Sequence, residues 1–430
     1  QMIKANEQAK AEGSDKRLGI ALTPVKFGIS FTVQTLNQAG ALVHIYTDGS
    51  IHLNHGGTEM GQGLFVKIAQ IVANEFDVDL DTVKVSATRT DKVPNTSPTA
   101  ASSGTDINGK AAQNACLTIK ARIVEFAAEY FEVAQEDIRF ERNHVYIGDK
   151  KDFTFAEMVQ LAYQHRVSLS STGYYKTPKI FYDRSKAWGR PFFYFALGAA
   201  CSEVEIDTLT GEYQVLRCDI LHDAGQSINP AIDIGQIEGG FVQGMGWLTT
   251  EELTWDKKGT LASNSPANYK IPTSHDLPKQ FKVKLYDRKN EEQTIYNSKA
   301  VGEPPFMLAA SVWCAINNAV ASLSDYKKNP DLTMPATPEA VLKAVMRMQG
   351  EEWEIDTNVN FDAIDSLTRE EEDNCGIDDD KVKPQLVPHA EDIKPPEVEG
   401  QTVDEQPEAI EHPNVSTARG PAHSEPTHSE

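Results

Sequence analysis

The chain has 430 residues, 40% hydrophobic and 24% charged, with a formal net charge of −22; that is enough for a large core and two or more domains. Residues 351–430 hold 23 acidic against 5 basic side chains and carry −18 of the charge, leaving about −4 on residues 1–350. No basic stripe with interleaved aromatics occurs, which argues against a nucleic-acid partner. The 5 cysteines lie far apart with no CxxC pair, which argues against a disulfide framework and against zinc or iron–sulfur ligation by this chain, and leaves reduced thiols in the cytoplasm as the expectation. Neither a signal peptide nor a run of eighteen apolar residues is apparent, so no membrane association is expected.

Residues 1–17 read as a polar helical entry segment leading into a strand, as expected of a chain cut from a larger protein. Val43 and Ile45, then Ile51 and Leu53, alternate on either side of Thr47-Asp48-Gly49, which predicts a hairpin. A glycine-rich loop follows, then a helix marked by Leu64, Ile68, Ile71 and Val72. Amphipathic helices are expected over 111–130 and 154–164, and a connecting loop over 166–190. Val204 and Ile206, then Tyr213, Val215 and Leu216, predict a second, longer hairpin around Leu209-Thr210-Gly211, again followed by a glycine-rich helical stretch. Leu308, Val312, Ile316 and Val320 recur every four residues, predicting a buried helix over 306–322 that starts at Pro304-Pro305. Hairpin, Gly-Gln pair and helix thus occur twice, at Gly61-Gln62-Gly63 and Gln243-Gly244, the mark of an internal duplication. The fold class is α+β: a subdomain over 18–165, a second over 191–350, and a proline-rich acidic tail over 351–430 whose composition predicts disorder.

Three loops suit an anionic cofactor. In "GGTEMGQGL" (56–64), glycines allow close backbone approach and Gln62 offers both a donor and an acceptor. In "SPTAASSGTD" (97–106), Ala101, Ser102 and Ser103 precede a helix and can present consecutive N–H groups to a phosphate. The third is Gln243 with Gly244. Each is equally a plain connection by local rules. There is no Walker lysine loop, no GxGxxG fingerprint, no GxSxG elbow and no HExxH pair. Glu303, between Gly302 and two prolines, reads locally as a capping acid beside a helix N-terminus.

Six stretches taken together resemble the molybdenum hydroxylase family, and within it the xanthine dehydrogenase branch: "TPVKFGISFT" (23–32), "LNQAGALVHIYTDGSIHLNHGGTEMGQGL" (36–64), "VPNTSPTAASSGTDINGKA" (93–111), "INPAIDIGQIEGGFVQGMG" (228–246), "NYKIPTSHDLP" (268–278) and "SKAVGEPPFMLAASVW" (298–313). They follow the family's order, cover most of 18–322, and correspond to the second half of its molybdopterin-binding region. The resemblance implies a molybdenum–pyranopterin cofactor whose metal is held through a dithiolene and has no protein ligand. It implies cofactor contacts from Met60, Gly61, Gln62, Ala101, Ser102, Ser103 and Gln243, and substrate contacts from Phe31 and Thr32. It implies that Glu303 is the catalytic base in oxidation of hypoxanthine or xanthine, assisting attack of a molybdenum-bound hydroxyl while hydride passes to a sulfido ligand. FAD and 2Fe-2S centres are then expected on partner domains, and the preceding half of the cofactor region elsewhere, so that this piece alone is inactive. An aldehyde oxidoreductase of the same family and a non-catalytic assembly scaffold are the competing readings.

Overall fold

Asp48 shapes the first turn by accepting from Ser50 N–H at 2.9 Å, and the chain on either side folds as the expected hairpin. The computed structural model describes residues 1–351 and 353, except 94 and 150; the expectation for 351–430 otherwise falls outside the described residues. Helix α1 (Met2–Ala11) and strand β1 (Lys16–Ile29) precede the hairpin β2 (Gln38–Ile45) and β3 (Ile51–His55). Helix α2 (Leu64–Phe76), strand β4 (Val83–Val85) and the long helix α3 (Gly104–Phe131) follow, then a small sheet of β5 (Ile138–Glu141), β6 (His144–Ile147) and β7 (Lys151–Thr154), helix α4 (Phe155–Gln164) and strand β8 (Ser170–Lys176). A ribbon of β9 (Phe181–Asp183) and β10 (Trp188–Arg190) leads to the second hairpin, β11 (Tyr194–Asp207) and β12 (Tyr213–His222). Helix α5 (Pro230–Thr249), strand β13 (Gln280–Leu285) and helices α6 (Pro304–Leu308), α7 (Ala310–Ala321) and α8 (Pro338–Gln349) complete the order.

The two halves share one plan. In each, a hairpin is followed by a helix, α2 or α5, and then by a strand parallel to the hairpin's second strand, β4 on β3 and β13 on β12. The first strand of each hairpin takes an antiparallel neighbour, giving four-stranded orders β4-β3-β2-β8 and β1-β11-β12-β13. Those outer strands are exchanged along the sequence: β1, counted with 18–165, pairs with β11, while β8 lies in the stretch 166–190 expected as a loop and pairs with β2. Strand β8 escapes a periodicity reading because its sequence, SSTGYYK, buries only Gly173 fully. A β-carbon built at Gly173 would lie 2.6 Å from Ala115 N and nearer still to Ala111 O, so helix α3 rests directly on the strand's backbone. Gly19 of β1 meets α7 in the same way, its β-carbon falling 2.7 Å from Ala319 N and nearer to Ala315 O.

Each sheet has its own core. Val43, Leu53, Ile68, Ile119 and Met158 pack in the first, Val204, Ile220, Phe241, Val312 and Ile316 in the second. The helix expected over 306–322 is two, because the chain turns at Ala309 and Ser311 Oγ donates back to Leu308 O at 2.8 Å. By length and composition Pro304–Ser324 passes as a membrane span, but half of it is buried, where α7 packs on β1 and β11.

Equivalent strands also end in equivalent histidines. His55 closes β3 and His222 closes β12, at 1% and 0% exposure. Burial pulls both imidazoles down to about 4, outweighing the pull of Glu59 on His55 and of Asp223 and Asp233 on His222. The unfolded chain therefore binds protons below about 6.5 that the native state refuses until about 4. Stability is fully present above the higher value and falls through that window, by ~3 kcal/mol per histidine. Thermal midpoints of the full-length protein should drop between these pH values, and less steeply for His222→Leu.

Candidate functional site

Between the two halves lies a cavity of about 420 Å³. Met60, Gln62, Leu64 and Lys67 line it from the loop before α2 and its first turns, and Ala100, Ala101, Ser102, Gly104, Thr105 and Asp106 from the approach to α3. Asp233, Gln236 and Gln243 line it from α5, and Ser298 to Glu303 from the loop before α6. Of the nominated residues, Met60, Gln62, Ala101, Ser102, Gln243 and Glu303 therefore share one wall. Gly61 and Ser103 stand directly beside it in sequence. Phe31 and Thr32 are not in the wall; they sit in the loop after β1, where Phe31 N–H donates to Asn37 Oδ1 at 2.8 Å and Asn37 Nδ2 donates to Phe31 O at 2.9 Å.

The loop before α2 is built by a residue the motif reading passed over. Glu59 accepts from the N–H groups of Gly61 at 2.9 Å, Gly63 at 3.0 Å and Phe65 at 2.9 Å, and so closes the start of the helix. Partial burial pushes its acid up, but the N–H groups of Phe65, Gly63 and Gly61 pull it further down. Gln62 is fastened inside the same turn, donating to Thr58 O at 2.9 Å and accepting from Met60 N–H at 2.5 Å. Gln243 and Gln236 differ: seven residues apart on α5, and so on one face, both have side-chain amides without a hydrogen-bond partner among the described residues.

The approach to α3 has the backbone of an anion cradle. Ala101 and Ser102 both take left-handed φ, +54° and +55°, which costs a non-glycine residue energy and turns successive amides the same way. Ser103 stands at the N-cap without a side-chain capping bond, which leaves the first-turn N–H groups of α3 to a ligand. Opposite, Ser102 Oγ donates to Glu303 Oε2 at 2.7 Å and accepts from Glu303 N–H at 2.9 Å. The half-buried Glu303 side chain is thus held by both its backbone and one carboxylate oxygen, and Oε1 has no partner among the described residues. Lys67 of α2 and Asp233 of α5 form a buried ion pair across the cavity floor, with Ser227 Oγ donating to Asp233 at 2.5 Å. Among the described residues no group of three or more His, Cys, Asp or Glu is placed to hold a metal.

The wall accommodates a flat, polar, phosphate-bearing group: amides where a ring's polar edge needs donors and acceptors, unengaged N–H groups where an anion needs them, and an acid at one end. Residues 2–278 match the family described as molybdopterin cofactor-binding domain. The chain belongs to that family. It is 48% identical over 337 residues to the xanthine dehydrogenase/oxidase of Felis catus and 47% identical over 347 residues to the xanthine dehydrogenase of Dictyostelium discoideum, covering 76% and 79% of this chain. In both cases it spans 24% of the relative's length. Among solved structures, a Cu,Mo-CO dehydrogenase in its carbon monoxide reduced state superimposes with a TM-score of 0.70 at 23% identity, over 80% of this chain and 43% of that one. The quinoline 2-oxidoreductase of Pseudomonas putida 86 gives 0.68 at 26% identity, over 80% and 44%. The molybdopterin-binding family match ends before the Glu303 loop, whereas the α+β fold is shared with the superimposed enzymes over 80% of this chain.

Proposed function

We propose that this chain supplies one side of the molybdopterin pocket of a hydroxylase that oxidises a purine such as hypoxanthine or xanthine, with Glu303 as general base. The observation that carries the reading is the double hold of Ser102 on Glu303 at the edge of a cavity lined by both halves. When bound, the molybdenum–pterin group supplies the oxygen donor and the electron acceptor. The first-turn amides of α3, with Ala101 and Ser102, bind its phosphate. Gln243 and Gln236 bond the polar edge of its ring from α5, and Gln62 holds the facing loop in shape. Glu303 Oε1 takes up the proton released as oxygen adds to an electron-poor carbon of the substrate, Oε2 staying with Ser102. Phe31 would meet the substrate from the loop after β1, outside the cavity wall. FAD and 2Fe-2S centres would sit on other parts of the full-length protein, which would act in the cytoplasm.

Gln243 and Gln62 separate cofactor contact from loop construction. Gln243→Leu in the full-length protein should leave cofactor groups without partners, at about 1–3 kcal/mol, and lower pterin content without changing the melting profile. Gln62→Leu should lower both, since its amide also ties Thr58 to Met60. Molybdenum and pterin assays on purified protein read the result; parental content in both variants would overturn the pocket assignment.

A further inference from the structure

One acid in the cavity wall has no part in this chemistry. Asp106, on α3, is 8% exposed and accepts from Tyr194 Oη–H at 2.7 Å. Tyr194, the first residue of β11 and 6% exposed, in turn accepts from Ala300 N–H at 2.8 Å. Ala300 opens the Ala-Val-Gly-Glu run that ends at Glu303, whose far end is bound by Ser102. Ser102 lies two residues before α3 and Asp106 within its first turn. The approach to α3 and its first turn thus fasten both ends of the base-bearing run, Ser102 directly and Asp106 through a phenol.

We propose that Tyr194 and Asp106 are a positioning pair for Glu303, fixing the loop at Ala300 as Ser102 fixes it at Glu303. The proposal deepens the reading of Glu303 as the base and rests on it. The Tyr194 phenol accepts from an amide and donates to a carboxylate at once; phenylalanine fills the space and loses both bonds. The pair also answers to pH. Burial raises the Asp106 acid to about 7, against the Tyr194 hydrogen bond and the charges of Lys67 and Lys110 that pull it down. Tyr175 of β8 also faces Asp106, and Lys67 is itself paired with Asp233 of α5. Below about 7 the neutral acid can donate to the phenol oxygen and compete with Ala300 N–H for it; above, the carboxylate only accepts.

The test uses the full-length protein with Tyr194→Phe, Asp106→Asn and Glu303→Gln. Tyr194→Phe should lower kcat by about tenfold or more, since small misplacements of a catalytic group are costly, with KM and pterin content near parental. Hydrogen exchange should quicken in the peptide carrying Ala300 and stay parental in β11 and β12. Asp106→Asn, like the neutral acid, offers a donor as well as an acceptor, so its kcat should stay near the parent's acid-side value at every pH, and the parent's rise in kcat through about pH 7 should be missing. Parental kcat and parental exchange at Ala300 in Tyr194→Phe, or a persistent limb in Asp106→Asn, would overturn the pair. If Glu303→Gln is slow while Tyr194→Phe is parental, only the positioning role falls; if Glu303→Gln itself is parental, the base reading falls with it.

Discussion

Glu303→Gln in the full-length protein should slow reduction by substrate about 10²–10⁴-fold, the usual contribution of a general base, at unchanged molybdenum and pterin content. The geometry makes this a clean substitution. The amide oxygen of the new side chain can still accept from Ser102 Oγ–H, and the backbone N–H of residue 303 still donates to Ser102. Pro304 and Pro305, not the acid, set the start of α6. What disappears is the proton acceptor at Oε1. Rapid mixing of parent and variant with substrate at matched cofactor content measures the difference. A variant within a few-fold of the parent would make Glu303 a helix-terminal acid and nothing more.

Gly173→Ala and Gly19→Ala should each cost about 3 kcal/mol or more, at or beyond the upper end of ordinary overpacking. The new methyl would fall on helix backbone, Ala111 O and Ala115 N in one case, Ala315 O and Ala319 N in the other. A helix backbone cannot turn aside as a flexible side chain can, so a whole helix must lift from its sheet. Gly235→Ala, inside α5 with nothing within 4 Å of the added carbon, is the control and should be neutral or slightly stabilising. Urea midpoints of the three variants decide; a Gly173→Ala midpoint equal to that of the control would show that α3 does not rest on β8 as described.

The hairpins were readable because their turns carry local chemistry, Thr-Asp-Gly in one and Leu-Thr-Gly in the other, between strands of clear alternation. The helices were readable from four-residue spacing. The partners of β1 and β8 were not, since pairing between residues nearly two hundred positions apart, such as Lys16 with Asp207, leaves no local mark. Within the cavity, the loops rich in Gly, Ala and Ser stood out but read equally as plain connections, and Gln62, Ser102, Gln243 and Glu303 were legible as site residues only through the family resemblance. Glu59 stood inside a quoted loop but looked like an ordinary surface acid, and its three N–H contacts depend on a backbone curl that composition does not encode. Asp106 and Gln236 likewise lay inside quoted stretches without a distinguishing residue pattern. Tyr194 was hidden in an aromatic run, PFFYF, where nothing tells the one buried phenol that bridges two elements from its neighbours that only pack.

The exchanged outer strands also govern how such a chain is made. During translation β1 is finished roughly 165 residues before the first residue of β11 exists, a delay on the order of ten seconds at common synthesis rates. Through that interval β1 has no sheet to join, and its Ile20 and Leu22, exposed even in the finished fold, stay open to chaperones or to unwanted strands. The first sheet meanwhile lacks β8. The first sheet closes only with β8, which ends at Lys176, and the second only with β13, which ends at Leu285, so a gene split within residues 166–190 would hand each product an unpaired edge rather than a finished half.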